Sequence, residues 1–252
     1  MRMMSSVEIL DEVRRLEGLA FRGWPALDSQ DVQGWRLRVS GGYTKRANSI
    51  NAIGPSPSTD IEGVEAAFRA LGRPPVWRLT PLAPPAIAEL LTARGYKAIE
   101  RSLLHRCPLH DRFRADPAVE VSPSPTTAWI EAFAAHSPVK PEHREIMQRM
   151  LHAIARPAGF AFVQHEGRPM AMAIGAVEGD HMGLFDVLVM PEARRQGLAR
   201  RVTESLYAWA WARGARFAYL QVVATNAAAI PLYAAQGFRT VYEYEYLVPP
   251  TS

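Results

Sequence analysis

The chemistry of this sequence concentrates in one run, Val187-Leu188-Val189-Met190-Pro191-Glu192-Ala193-Arg194-Arg195-Gln196-Gly197-Leu198-Ala199-Arg200-Arg201. An apolar strand ends, a turn carries basic residues and one glycine, and a helix begins. The first backbone N–H groups of a helix have no internal partners, and the helix dipole adds positive potential there. Gly197 lets the backbone approach a ligand closely, and Ala199 adds little bulk. With Arg194, Arg195, Arg200 and Arg201 around the turn, the run is suited to binding a pyrophosphate. A basic helix start with solvated arginines would have the same composition.

The flanking elements must hold that turn. Residues 159–165, 170–177 and 181–189 read as three strands joined by tight turns at 166–168 and 179–180, an antiparallel meander. Leu198, Val202, Leu206 and Trp209 form one helix face. Residues 217–222 alternate as a strand, Asn226 opens a short helix ending at Gly237, and residues 241–248 form a final strand. With a short strand at 119–121 and helices at 127–135 and 142–155, the order is β-α-α-β-β-β-α-β-α-β.

The first half reads similarly at lower contrast. It has helices at 7–19, 61–71 and 86–94, and strands at 34–39, 47–53, 76–79 and 98–105. Arg94-Gly95-Tyr96 and Gln236-Gly237-Phe238 both join a helix end to a strand, which suggests a weak internal repeat. Helix–Gly–strand junctions are also common in unrelated chains. Prolines at 108, 117, 123 and 125 make residues 106–125 a connection, so the chain is expected to divide into residues 1–115 and 116–252.

Two motifs carry a family resemblance. Val189-x-Pro191-x-x-Arg194-x-x-Gly197-x-Ala199 resembles the acetyl-CoA pyrophosphate loop of the GNAT superfamily of N-acetyltransferases. Asn226-x-x-Ala229-x-x-Leu232-Tyr233-x-x-x-Gly237-Phe238 resembles that superfamily's second motif. The motifs and the elements between them span about residues 187–238, and element order extends the likeness to about residue 118. The first half has no such loop and resembles the degenerate domain of tandem members. The resemblance implies an α/β (α+β) fold: a mixed, mainly antiparallel twisted sheet flanked by helices, in two tandem GNAT-like domains.

It also implies roles. The backbone of Val187, Leu188 and Val189 would pair with the pantetheine arm of acetyl-CoA, the Val189 N–H polarising the thioester carbonyl. The run Arg194, Arg195, Gln196, Gly197, Leu198, Ala199 and Arg200 would cradle the pyrophosphate, and Asn226 would reach the pantetheine. Tyr233 would protonate the departing thiolate, a task that suits a phenol because it keeps its proton at neutral pH. Acceptance of the acetyl group needs a neutral amine, and an alkylamine with a pKa near ~10.4 arrives protonated. Some family members carry a base, Glu, five residues before the motif asparagine. Here that residue is Gln221, which cannot serve. Asp186 is the leading substitute, followed by Glu178, His181 and Tyr244; ordered water or an acceptor of low pKa would also suffice. Pro231 should delay the start of its helix.

Composition sets the outer limits. The 252 residues are 48% hydrophobic and 21% charged, too apolar for a disordered chain. No run approaches a membrane span, and the first residues lack a secretory core, so cytoplasm is the expected compartment. A single cysteine, Cys107, excludes an internal disulfide and, without one near the motifs, argues against an acyl-cysteine intermediate. His136 and His143 lack partners at ligand spacing, so no metal is expected. The net charge of +4 gives nucleic acid little support beyond the arginines already assigned, and Lys45-Arg46 reads as a solvated pair. The expected partner is a small-molecule or peptide amine, handled by a monomer or homodimer. A non-catalytic acyl-CoA sensor is the alternative.

Overall fold

The computed structural model describes residues 5–154 and 157–250. In chain order the elements are α1 (Ser6–Gly23), β1 (Asp28–Val32), β2 (Trp35–Val39), β3 (Ser49–Ala52), α2 (Ile61–Ala70), β4 (Trp77–Leu79), α3 (Pro85–Ala93) and β5 (Lys97–Pro108). There follow β6 (Glu120–Ser122), α4 (Thr127–His136), α5 (Arg144–His152), β7 (Ala158–His165), β8 (Arg168–Glu178), β9 (His181–Val189), α6 (Leu198–Trp211), β10 (Phe217–Val223), α7 (Ala229–Ala235) and β11 (Arg239–Val248). The strand-and-helix order expected after residue 116 is the order observed.

All the strands join one sheet in the order β1-β2-β3-β4-β11-β5-β10-β9-β8-β7-β6. The β3–β4 and β9–β10 pairs are parallel and the others antiparallel, giving the expected mixed sheet. Helices cover it: α6 packs on β7, β8 and β9, and α1 on β8 and β9.

The order interleaves the two ends of the chain. Strand β5 pairs with β10, whereas β11 pairs with both β4 and β5. The first and second halves thus exchange their last strands. The junctions feeding those strands match in detail. Tyr96 N–H donates to the Leu91 carbonyl at 3.1 Å, and Phe238 N–H to the Tyr233 carbonyl at 3.0 Å. Gly95 and Gly237 adopt φ of 82° and 94°, a region open to glycine without a Cβ penalty. A buried ion pair secures the exchange. Arg78 of β4 donates to Glu17 of α1, and so does the Tyr242 hydroxyl of β11.

Two expectations change. Strand β1 has an exposed, polar sequence without an apolar alternation, and it forms as the outer arm of a hairpin on β2. Residues 106–108, expected in a connection, extend β5. Cys107 is buried opposite Ala218, and Pro108 ends the strand at Phe217, where it lies among the last ladder residues.

Candidate active site

The site begins where two parallel strands stop pairing. β9 and β10 run in register from His181 beside Phe217 to Leu184 beside Leu220, and no further. Beyond Leu184, β9 carries a bulge: its register with β8 shifts between Met172 and Ile174, and Asp186 takes φ 46°. A bulge bends its strand and re-aims side chains. Here it turns residues 185–189 away from residues 221–223 and opens a wedge between them. A cavity of about 480 Å³ fills the wedge.

The edge of β9 facing the wedge carries free backbone groups. Met190 N–H donates to the Met170 carbonyl at 3.0 Å, and Met172 lies opposite Leu188. Antiparallel pairs alternate between bonded and non-bonded, so Val189 directs its N–H and C=O groups away from β8. The Val189 carbonyl takes the Arg194 Nε–H at 3.4 Å.

The turn after β9 has the expected features of an anion cradle. Gly197 caps α6 in the left-handed region, with φ 74° and no side-chain cap. A Cβ there would meet open space within 4 Å, but the backbone conformation itself favours glycine. Among the described residues, the N–H groups of Arg195 through Arg200 have no hydrogen-bond partner. Arg194, Arg195 and Gln196 are exposed beside them. Arg200 pairs with Glu204 at 2.7 Å. Arg201 departs from the expectation: it is held by Asp116 at 2.5 Å, tying the chain between the halves to α6.

Asn226 and Tyr233 enter from the other side. Asn226 lines the cavity, and its Oδ1 accepts the Ala229 N–H at 3.0 Å, fixing the first turn of α7. That helix starts at Ala229, so Pro231 falls in its first turn, where a missing N–H costs little. Tyr233 is only 7% exposed, lies edge-on to Phe238 at 5.7 Å and faces the cavity. Burial, and secondarily the charge of Asp186, pushes its phenol up to about 12, so it is protonated at neutral pH. Its hydroxyl has no hydrogen-bond partner among the described residues.

Asp186 also lines the cavity, with an unexpected partner. Its Oδ1 takes Arg46 Nη2 at 2.8 Å, and its Oδ2 has no partner among the described residues. Arg46 lies 4.7 Å over the Trp24 ring. The alternatives to Asp186 separate cleanly. Glu178, the last residue of β8, pairs with Arg22, and His181, at the far end of β9, is buried between Asp180 and Arg15. Neither lines the cavity, whereas Tyr244 and Gln221 do.

Sequence reasoning missed the contribution of the first half. Lys45 and Arg46 are not a solvated pair. Residues 42–46 form one wall of the cavity, where Lys45 Nζ meets Glu100 Oε1 at 2.8 Å. Buried Asn48 shapes this loop. Its Oδ1 accepts the N–H groups of Ser40 and Gly42, each at 2.8 Å, and its Nδ2 donates to the Thr44 carbonyl at 2.7 Å. Tyr43, Ser102 and Tyr246 complete this side. No local pattern marks these residues; the strand exchange brings them in. A second cavity of about 230 Å³ shares Tyr43, Arg46 and Asp186, and is lined also by Phe133 of α4 and by Ser137, Pro138 and Val139 after it. Cys107 lies buried in β5, which pushes its thiol up to about 12, so it is no nucleophile at neutral pH.

Comparison with known proteins agrees with this architecture. The family described as "Probable histone acetyltransferase Rv0428c C-terminal" matches residues 11–247. The "Uncharacterized N-acetyltransferase YobR" of Bacillus subtilis is 28% identical over 255 residues, covering 95% of this chain and 99% of its own. The "[Ribosomal protein bS18]-alanine N-acetyltransferase" of Escherichia coli is 43% identical over 72 residues, 29% of this chain and 49% of its own. Among solved structures, a GCN5-related N-acetyltransferase from Kribbella flavida superposes with a TM-score of 0.68 at 17% identity, covering 95% of this chain and 96% of that one. A tandem GNAT protein from the clavulanic acid biosynthesis pathway gives 0.65 at 13% identity, covering 94% and 89%. Among the described residues no helix is long and apolar enough to cross a membrane. The chain therefore belongs to the family described as probable histone acetyltransferase Rv0428c C-terminal, and is an N-acetyltransferase of the GNAT superfamily.

Proposed function

We propose that the protein transfers the acetyl group of acetyl-CoA to a primary amine by direct attack in a ternary complex. The observation that carries this reading is the wedge itself. An unpaired strand edge leads from it to a run of unpartnered N–H groups, and a protonated, unpartnered phenol faces into it. That set fits acetyl-CoA along its whole length. Val187, Leu188 and Val189 would hold the pantetheine, with the Val189 N–H placed for the thioester carbonyl. Arg194, Arg195, Gln196, Gly197, Leu198, Ala199 and Arg200 would hold the pyrophosphate. Asn226, its Nδ2 without a partner among the described residues, would reach the pantetheine amides.

In the reaction the amine nitrogen forms a bond to the acetyl carbon, and the carbon–sulfur bond breaks. The arriving ammonium gives one proton to Asp186 through Oδ2, directly or by way of water; Tyr233 gives its proton to the departing thiolate and is restored by the second proton, which leaves the nitrogen as the amide forms. Gln221 takes no proton, so the acceptor of the bS18-alanine relative is not carried over to this chain. The two parts of the chain, residues 1–115 and 116–252, act as one catalytic unit: the first supplies a wall and the second the donor site.

The test follows free CoA thiol with acetyl-CoA against aminoglycosides, polyamines, amino acids and peptides with free N-termini. Turnover of at least one amine is expected. Tight acetyl-CoA binding without turnover of any of them would instead support a sensor.

A further inference from the structure

The cavity holds two carboxylates, and they are restrained unequally. Asp186 is gripped by Arg46, whose guanidinium lies over Trp24 and cannot lose its charge. Among the described residues, the Glu100 carboxylate is held only by Lys45, through one contact between side chains that are 45% and 37% exposed. A pair so exposed is weak, and a lysine ammonium on a four-carbon stem swings away easily. Glu100 also sits where backbone strain is stored. Its φ is 50°, next to the point where the β5–β11 register slips between Tyr244 and Tyr246. Non-glycine residues held in this region cluster at functional sites.

We propose that Glu100 receives the ammonium group of the acceptor, and that Lys45 occupies this subsite in the free protein as a displaceable stand-in. The acceptor is then a primary amine that enters as its ammonium ion. The proposal rests on the acetyl-transfer reading above, and it places the acceptor subsite in the first half of the chain. Glu100 binds the acceptor, whereas Asp186 takes the proton, so the two carboxylates separate kinetically.

Two measurements test this. The first uses the amine that turns over fastest in the panel above. Glu100→Gln should raise its KM about tenfold, the loss of one charge-assisted contact. Lys45→Ala should lower KM about threefold by removing the competitor. Asp186→Asn should act on kcat instead. The acetyl-CoA dissociation constant, equal in wild type and Glu100→Gln, shows that the variant is folded. A KM within twofold of wild type in Glu100→Gln overturns the proposal.

The second measurement needs no turnover. The chain has three lysines, Lys45, Lys97 and Lys140, so side-chain NMR of labelled lysine resolves them individually. Added n-butylammonium should shift the Lys45 signal saturably and leave Lys97 and Lys140 in place. In Glu100→Gln the Lys45 signal should already lie at its displaced position. Failure of n-butylammonium to move Lys45, or equal movement of all three signals, contradicts the subsite. Absence of turnover with every amine would count against the acetyl-transfer reading, and the lysine spectrum would still decide the role of Glu100.

Discussion

Arg46 and Asp186 stand 140 positions apart in the chain and meet through Nη2 and Oδ1 at 2.8 Å across the mouth of the wedge. The pair joins the loop of the first half to the bulge of β9, and both cavities of the site share it. Its side chains are 25% and 18% exposed, so it is shielded from solvent more than an ordinary surface pair. Arg46→Met should leave Asp186 without its partner and destabilise the fold by about 1–3 kcal/mol. Urea unfolding of Arg46→Met, Asp186→Asn and the double variant measures the coupling. Strictly additive losses would show that the contact contributes nothing.

Tyr233→Phe removes the proposed proton donor and little else, because the ring keeps its edge-on contact with Phe238. The expected loss is about 10²–10⁴-fold in kcat, with acetyl-CoA affinity retained. Stopped-flow thiol detection and equilibrium binding on the same preparation check this.

The raised phenol also has a stability consequence. An exposed tyrosine in the unfolded chain titrates near ~10, and folded Tyr233 at about 12. A folded-state value above the unfolded one means that stability is fully present below pH ~10 and declines as the pH rises toward 12. Tyr233→Phe should therefore flatten part of the alkaline decline in unfolding free energy. An identical alkaline decline in the two proteins would contradict the assignment.

Gly197 allows the cradle its shape. Its φ of 74° strains any residue with a Cβ, although nothing within 4 Å would clash. Gly197→Ala should cost about 1 kcal/mol of stability or reshape the turn. The acetyl-CoA dissociation constant should rise about tenfold, read by calorimetric titration.

Asn48 acts at a distance from the chemistry. Asn48→Ala removes its three short hydrogen bonds to residues 40–44 and so releases Lys45 and Arg46 from their wall. A loss of about 2–3 kcal/mol in stability is expected from the unsatisfied buried groups, with a rise in acceptor KM. Denaturant unfolding and steady-state kinetics measure the two effects.

The sequence carries the proposed donor side of this site and hides the proposed acceptor side. The proposed pyrophosphate turn is local: Gly197, the arginines and the helix start lie within a few residues, so its motif can be read in the sequence. The same holds for Asn226, just before a short helix, and Tyr233 within it. Local signals also mark most elements, through apolar periods of 2 or 3.6 residues. The wall formed by Lys45, Arg46 and Glu100 is different. These residues meet Asp186 and Tyr233 only because β5 inserts between β10 and β11. Strand exchange is a long-range choice, and β5 has no sequence feature that names its neighbours. Strand β1 was hidden for another reason: its residues are polar on both faces, so no alternation signals it.

The proposed function requires that acetyl-CoA and the amine meet in one wedge, with no acetylated protein intermediate. A matrix of initial rates over both substrate concentrations tests this claim most directly. Intersecting double-reciprocal lines are predicted, with no exchange of label between CoA and acetyl-CoA in the absence of amine. Parallel lines with amine-independent exchange would contradict it.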